Sequence, residues 1–196
     1  MRKKVTRAAL RRAAVHLKKG GLVIYPTETA YAIGSDSRNK EAIRRIFALK
    51  GREQEKTFPL IAADRFMVNQ FVVWNAEAKK LARKFWPGPL TLVLPVKTGS
   101  GLAPLVRKEG SIAVRVSAHR IARALAREVG VPIVSTSANR SGLGAVYSIS
   151  ALKKQFPSLR EDVVILDAGR LPKRTPSTIV KFDPQPIVIR QGAVHI

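Results

Sequence analysis

Small hydrogen-bonding side chains crowd into one short stretch, residues 131–140, which reads VPIVSTSANR. Its first half is apolar and β-branched, a pattern typical of a buried strand. Its second half could bind phosphate or carboxylate, because open α/β sheets bind ligands where their strands end. The alternative is a turn that satisfies its own backbone. The polar residues of this stretch are Ser135, Thr136, Ser137 and Asn139.

A second polar segment, TETAY at residues 27–31, follows a short apolar strand predicted at residues 22–25. Pro26 ends that strand, and Thr27 begins a second hydroxyl-rich loop. An ordinary connection between a strand and a helix explains this segment equally well.

Three cations, Lys50, Arg52 and Lys56, lie on an irregular link between a predicted helix and a predicted strand at residues 57–62. A lysine and an arginine together supply a point charge and a planar fork, a combination that commonly neutralises triphosphates. Lys50 could instead be a capping charge at the helix C-terminus, and the whole group could be a solvated cluster.

Arg115 lies in a predicted strand at residues 111–116, in which Ile112, Val114 and Val116 share the opposite face. An arginine that leaves a sheet needs an anion, which is either a structural carboxylate or a ligand. The chain has only 13 Asp and Glu residues, so we favour the ligand.

The elements that must position these residues are read from periodicity and capping signals. Helices are predicted at residues 5–19, after Asn39, after Asp64 and Asn75, after Ser117 and past Ser148. Further strands are predicted at residues 91–94 and 163–166 and in a terminal hairpin at residues 178–182 and 186–190. WPGP at residues 86–89 predicts a rigid turn. The total is seven or eight strands and five or six helices in one α/β domain spanning residues 1–196.

Composition limits the classes of function. The chain has 36 Lys and Arg residues, for a formal net charge of +23, which favours a polyanionic partner such as nucleic acid or faster capture of a nucleotide. A solubilising surface is the alternative. Without cysteine there is no disulfide or thiolate site, and no apolar run predicts a membrane span. We expect a cytoplasmic protein.

Several standard motifs are absent from the sequence. It contains no phosphate-loop motif, no complete dinucleotide fingerprint around Gly142 and Gly144, and no serine-hydrolase elbow. Its histidines stand alone, without carboxylates at metal-ligand spacing. They are His16, His119 and His195.

Seven short motifs in order, across residues 20–192, resemble those of the YrdC-like family of threonylcarbamoyl-AMP synthases. They are YPTET at 25–29, the Lys-x-Arg pair at 50–52 with Lys56, WPGPLT at 86–91, AVRV at 113–116, STSAN at 135–139, PST at 176–178 and RQG at 190–192. Each motif alone is unspecific, but the ordered set is highly specific. The resemblance implies a twisted open mixed α/β sheet with flanking helices and a basic concave face.

Members of that family join L-threonine, bicarbonate and ATP into threonylcarbamoyl-adenylate and pyrophosphate, and partner proteins pass the group to an adenosine of certain tRNAs. By this resemblance, the residues that hold ATP are Lys50, Arg52, Lys56, Ser137, Asn139 and Arg190. Those that hold threonine are Thr27, Arg115, Ser135 and Ser177. Lys50, Arg52 and Arg115 would act by charge and positioning, without a general base. Mg²⁺ is expected to accompany ATP, with no protein ligand identified.

Two departures from the family and one rival interpretation accompany this resemblance. The longer family form carries a second C-terminal domain, whereas this chain stops soon after RQG. Ala62 and Ala63 stand where some members have a histidine near the threonine side chain, so amino-acid selectivity is left open. The rival is a non-catalytic protein that binds structured RNA, such as tRNA or rRNA, on the basic concave face. Direct contact with RNA is compatible with either interpretation.

Overall fold

The computed structural model describes residues 4–51, 57–159 and 162–196, with six α-helices and ten strands in those segments. The helices are α1 (Arg7–Lys18), α2 (Lys40–Lys50), α3 (Arg65–Phe71), α4 (Ala76–Phe85), α5 (Arg120–Val129) and α6 (Ile149–Gln155). The strands are β1 (Leu22–Pro26), β2 (Tyr31–Gly34), β3 (Leu60–Ala62), β4 (Leu90–Pro95), β5 (Ser111–Val116), β6 (Ile133–Val134), β7 (Thr136–Ser137), β8 (Val163–Ile165), β9 (Thr178–Asp183) and β10 (Gln185–Arg190).

The strands form two mixed sheets instead of the one open sheet expected from the sequence. The first has the order β7-β2-β1-β8, and the second has the order β10-β9-β4-β5-β3-β6. Strands β1 and β8, β3 and β5, and β4 and β9 pair in parallel, and the remaining ladders are antiparallel. The predicted mixed α/β class is confirmed, and so is the terminal hairpin of β9 and β10.

The hydroxyl-rich stretch connects the two sheets. Strand β6 pairs with β3 in the second sheet. Only Ser135 separates β6 from β7, which pairs with β2 in the first sheet. Thr136 and Ser137 therefore form a short strand where a loop was predicted, because the edge of β2 satisfies their backbone groups. Close approach of the sheets also explains Gly34, since a Cβ there would lie 2.3 Å from the carbonyl oxygen of Val134.

Three predicted helix caps are confirmed by side-chain hydrogen bonds. The side-chain oxygens of Asn39, Asp64 and Asn75 accept from backbone N–H groups three residues later, at 2.9, 2.9 and 2.7 Å. Each cap satisfies a backbone donor that the first helical turn leaves unpaired.

The predicted cap by Ser117 is wrong. Helix α5 begins at Arg120, and its N-cap residue is His119. The hydroxyl of Ser117 accepts from the N–H of His119 at 3.1 Å and donates to the carboxylate of Glu28. Ser117 therefore belongs to a polar cluster that a helix-start pattern does not reveal.

One face of β5 lies in the hydrophobic core, and the other lines a cavity. Ile112, Val114 and Val116 are buried in the hydrophobic core, to which α5 contributes while packing against α1, β1 and β3. Ala113 and Arg115 point away from that core, as the predicted alternation requires. None of the helices in the three described segments is long and apolar enough to cross a bilayer.

We expect Asp64→Ala to lower the free energy of unfolding by about 1 kcal/mol at pH 7, because the N-cap of α3 is lost. The pKa of Asp64 is held below its ordinary value, chiefly by the N–H of Met67 and further by Arg127. The stabilisation is therefore complete above the unfolded pKa of about 4 and is lost as the pH falls through the lower folded pKa. Urea unfolding of both proteins from pH 7 to pH 3 measures this difference.

Asp64→Asn is the matched control, since an asparagine also caps helices but does not titrate. It should retain most of the stability at pH 7. A difference between wild type and Asp64→Ala that stays constant down to pH 3 would contradict the assignment.

Candidate active site

A cavity of about 870 Å³ is lined by residues of both sheets. Six of the residues predicted from the sequence line it: Thr27, Arg115, Ser135, Ser137, Ser177 and Arg190. These include all four residues expected to hold threonine and two of the six expected to hold ATP. The structure therefore brings together motifs that are separated by more than 150 residues along the chain.

The guanidinium of Arg115 is anchored by a carboxylate that sequence reasoning missed. Arg115 Nη1 donates to Glu28 Oε1 at 2.7 Å, and the Ser117 hydroxyl donates to the other carboxylate oxygen. The side chains of Arg115 and Glu28 are only 9% and 7% exposed. The less favoured of the two alternatives, a structural carboxylate that pairs with Arg115, is therefore observed. Arg115 nevertheless lines the cavity, and a guanidinium has five N–H donors, so one pairing leaves others for a ligand.

Arg190 supplies a second positive charge to the cavity without a carboxylate partner among the described residues. Its Nη2 donates to the carbonyl oxygen and the hydroxyl of Ser177, at 2.7 and 3.1 Å. The Ser177 hydroxyl lies 2.9 Å from that of Thr91. Among the described residues, Arg190 is thus held by neutral acceptors.

The two guanidiniums repel each other. Partial burial, and after it the positive charge of Arg115, lowers the pKa of Arg190 below its ordinary value. An arginine remains protonated at neutral pH despite such a shift. Because the Glu28 carboxylate is paired with Arg115 and not with Arg190, an anion bound beside Arg190 would be stabilised.

The hydroxyl of Thr27 organises the turn between β1 and β2. It donates to the carbonyl oxygen of Ala30 at 2.7 Å and accepts from the N–H groups of Thr29 and Ala30, both at 3.2 Å. The predicted connection from a strand to a helix is wrong, because this turn leads into β2, which pairs antiparallel with β1. Thr29 also lines the cavity, with its hydroxyl 3.0 Å from that of Thr27, although the sequence analysis did not select it.

Neither buried tyrosine beside the site is suited to act as a base. Burial raises the pKa of Tyr25 well above its ordinary value, and burial raises the pKa of Tyr31 to about 12. The Tyr31 hydroxyl donates to the carbonyl oxygen of Gly169 at 2.7 Å and accepts from the N–H of Ala168 at 2.9 Å. Both phenols therefore stay protonated at neutral pH.

Lys50 and Asn139 support the cavity wall and do not line the cavity. The buried ammonium of Lys50 donates to the carbonyl oxygens of Ser137 and Asn139, both at 2.5 Å. The Asn139 side-chain amide donates to the carbonyl oxygens of Arg140 and Leu143 at 2.9 and 2.6 Å. Contact of either residue with ATP stays a prediction.

Arg52 and Lys56 lie outside the described residues, so the structure does not place them. Within the part of the chain that is described, no group of three or more His, Cys, Asp or Glu side chains could hold a metal ion. Glu109 and Asp183 line the cavity, whereas Glu28 is engaged with Arg115 and Ser117.

We expect Gly192→Ala to destabilise the protein by about 1–3 kcal/mol, the range typical of overpacking. A Cβ at Gly192 would lie 2.3 Å from the carbonyl oxygen of Pro176 and 2.5 Å from the carbonyl carbon of Ser177. The backbone that holds Ser177 against Arg190 would have to move. Thermal unfolding measures the loss, and Gly144→Ala is the control because nothing lies within 4 Å of its added Cβ. Equal midpoints for the two variants would show that the close approach is unimportant.

The fold and the site define a mixed α/β protein in which two sheets flank a polar, positively charged cavity. The model of the Sua5, YciO and YrdC family, which is described as telomere recombination, matches residues 15–192. The chain belongs to this family.

Relatives with known names match most of the chain. Threonylcarbamoyl-AMP synthase of Halorhodospira halophila is 38% identical over 170 residues, which are 85% of this chain and 87% of the relative. The enzyme of the same name from Methylococcus capsulatus is 43% identical over 150 residues, 76% of this chain and 80% of the relative.

Two solved structures share the fold. The structure of P. abyssi Sua5 complexed with L-threonine has a TM-score of 0.88 and 31% identity, and it covers 98% of this chain. The chain spans only 56% of that Sua5 chain. The structure of E. coli YciO has a TM-score of 0.86 and 25% identity, covering 99% of this chain and 94% of YciO.

Proposed function

We propose that the protein is a threonylcarbamoyl-AMP synthase, which forms L-threonylcarbamoyl-adenylate and pyrophosphate from L-threonine, bicarbonate and ATP. Relatives of that name support this, as does the similarity to a Sua5 that binds L-threonine. The observation that carries the proposal is the pair of guanidiniums of Arg115 and Arg190 in one hydroxyl-lined cavity with a single carboxylate partner.

The arrangement suits two anionic substrates held side by side. We assign the threonine carboxylate to Arg115, with Ser135, Ser177 and the turn at Thr27 around it. The phosphates of ATP lie toward Ser137 and Arg190, and Lys50 and Asn139 serve the nucleotide side, either by contact or by holding the loop after β7. Arg52 and Lys56, which lie outside the described residues, are assigned to ATP by the family motif alone.

The chemistry then needs charge and alignment more than a base. The amine of threonine adds to bicarbonate with loss of water, and a carbamate oxygen attacks the α-phosphorus as pyrophosphate leaves. The attacking and attacked groups are both negative, so positive charge at the cavity lowers the barrier. Alignment of bound reactants can contribute about 7–11 kcal/mol.

Magnesium, the receiving partners and the location of the protein complete the proposal. Because the described residues offer no cage of three carboxylates, Mg²⁺ would reach the site on the phosphates of ATP and would neutralise their charge. Proteins of tRNA threonylcarbamoyladenosine modification would receive the adenylate in the cytoplasm. The names of the relatives give no support to a non-catalytic binder of structured RNA.

We expect the purified protein to release pyrophosphate from ATP only when both L-threonine and bicarbonate are present. A coupled pyrophosphate assay in bicarbonate-depleted buffer, with each substrate omitted in turn, measures this dependence. Pyrophosphate release that is equally fast without threonine would contradict the proposal.

Glu28→Ala/Arg115→Ala should abolish this activity in a protein that remains folded. The double variant removes both charges, whereas Arg115→Ala alone would leave the buried Glu28 carboxylate unpaired and could unfold the chain. Arg44→Ala/Glu41→Ala is the matched control, because it removes an exposed ion pair of α2. Circular dichroism and the pyrophosphate assay, applied to both proteins, separate loss of structure from loss of chemistry. Activity within a few-fold of wild type in Glu28→Ala/Arg115→Ala would refute the role of Arg115.

A further inference from the structure

The loop that follows β7, residues 140–144, is exposed but has an ordered set of hydrogen bonds. It lies between Ser137 and Ala145, both of which line the cavity. Three of its bonds involve residues described above: the N–H of Ser141 donates to the carbonyl oxygen of Lys50 at 2.9 Å, and the Asn139 amide donates to the carbonyl oxygens of Arg140 and Leu143. The loop therefore has little of the freedom expected of an exposed, glycine-containing segment.

Gln155, the last residue of α6, closes both ends of this loop. Its Oε1 accepts from the N–H of Arg140 at 3.1 Å, and its Nε2 donates to the carbonyl oxygen of Gly144 at 3.0 Å. One side-chain amide thus replaces the pair of backbone hydrogen bonds that a neighbouring strand would supply. Gln155 does not line the cavity and belongs to none of the motifs noted in the sequence.

The loop sets the orientation of the buried Asn139 side chain, and with it the orientation of an unpaired acceptor oxygen. Because its amide nitrogen is committed to the carbonyls of Arg140 and Leu143, its Oδ1 has a set orientation, and this oxygen has no partner among the described residues. A buried acceptor without a donor is costly unless a ligand or water supplies one. Ribose hydroxyls and the adenine amino group are donors of that kind, whereas phosphate oxygens are acceptors.

We infer that Gln155 is a positioning residue for nucleotide binding, which acts by holding loop 140–144 and, through it, Ser137 and Asn139. The inference rests on the proposed function, because that function places ATP on this side of the cavity. Gln155 itself does not contact the substrate in this proposal, because it does not line the cavity. The side of the cavity around Thr27, Arg115 and Ser177 is held by other hydrogen bonds, none of which comes from this loop.

The test compares Gln155→Leu, which removes both hydrogen bonds at similar side-chain size, with Lys153→Leu on the same helix. Lys153 is exposed and lines no cavity. Calorimetric titration with a non-hydrolysable ATP analogue should show about tenfold weaker binding to Gln155→Leu, the loss expected from one or two part-exposed hydrogen bonds that order a site. Lys153→Leu should bind like wild type.

Three further readouts separate positioning from general destabilisation. The KM for threonine and the thermal midpoint should be unchanged in Gln155→Leu, because the loop buries no core. Amide hydrogen exchange at Arg140 should accelerate, whereas exchange at Val134, whose N–H donates to the carbonyl oxygen of Ser35 within the core, should not.

Equal affinity of wild type and Gln155→Leu for the analogue would overturn the role of Gln155 but not the proposed function. So would a loss of affinity accompanied by equal losses in threonine binding and thermal stability. A wild-type protein that binds no analogue would overturn the proposed function and this inference with it.

Discussion

The ion pair between Arg115 and Glu28 is the constraint on which the cavity depends. Arg115 belongs to β5 of the second sheet and Glu28 to the turn between β1 and β2 of the first, so the pair ties the two sheets together across the site. Removing two charges from water is expensive, and the pair must be held in a good geometry to offset that cost. The hydroxyl of Ser117 contributes to this geometry by occupying the second carboxylate oxygen.

A positive charge remains in the site at Arg190, because the pair uses the Glu28 carboxylate for Arg115. Glu28 balances Arg115 but not Arg190, and burial, followed by the positive charge of Arg115, lowers the pKa of Arg190. The protein as a whole is strongly basic, at a formal net charge of +23, but most of that charge lies on exposed side chains where solvent screens it. The few cations inside the cavity have the larger effect on a bound anion, because a partly buried environment screens them less.

Local features could be predicted from the sequence, and pairings between distant residues could not. Each of the three confirmed caps, Asn39, Asp64 and Asn75, depends only on the three residues that follow it. The alternation of side chains around Arg115 depends only on the pleat of one strand. The partner of Arg115 lies 87 residues away, and a count of acids cannot reveal that Glu28 reaches it. The same limit applies to Lys50, whose residue type does not reveal that it donates to carbonyls 87 and 89 residues further along the chain.

The family motifs identified the residues of the cavity better than local patterns did, because a set of motifs shared by a family comes from distant segments that meet in the fold. They do not show how the segments are held: Ser117 and Gln155 lie outside the motifs, and Thr29 lies in YPTET without an assigned role, although each contacts a residue of the site or its loop. The crossing at Ser135 was also missed, since a two-residue strand has too short a pattern to be read. Such supporting contacts depend on the relative placement of both sheets and become apparent only in three dimensions.

The proposed chemistry requires that one cavity seats a triphosphate beside an amino acid and joins them through a carbamate. Mass spectrometry of the product formed from L-threonine, ATP and ¹³C-labelled bicarbonate tests it most directly. The account predicts an adenylate that contains threonine and one labelled carbon, absent when any substrate is omitted. An adenylate of threonine without the label, or AMP and pyrophosphate with no adduct at all, would contradict it.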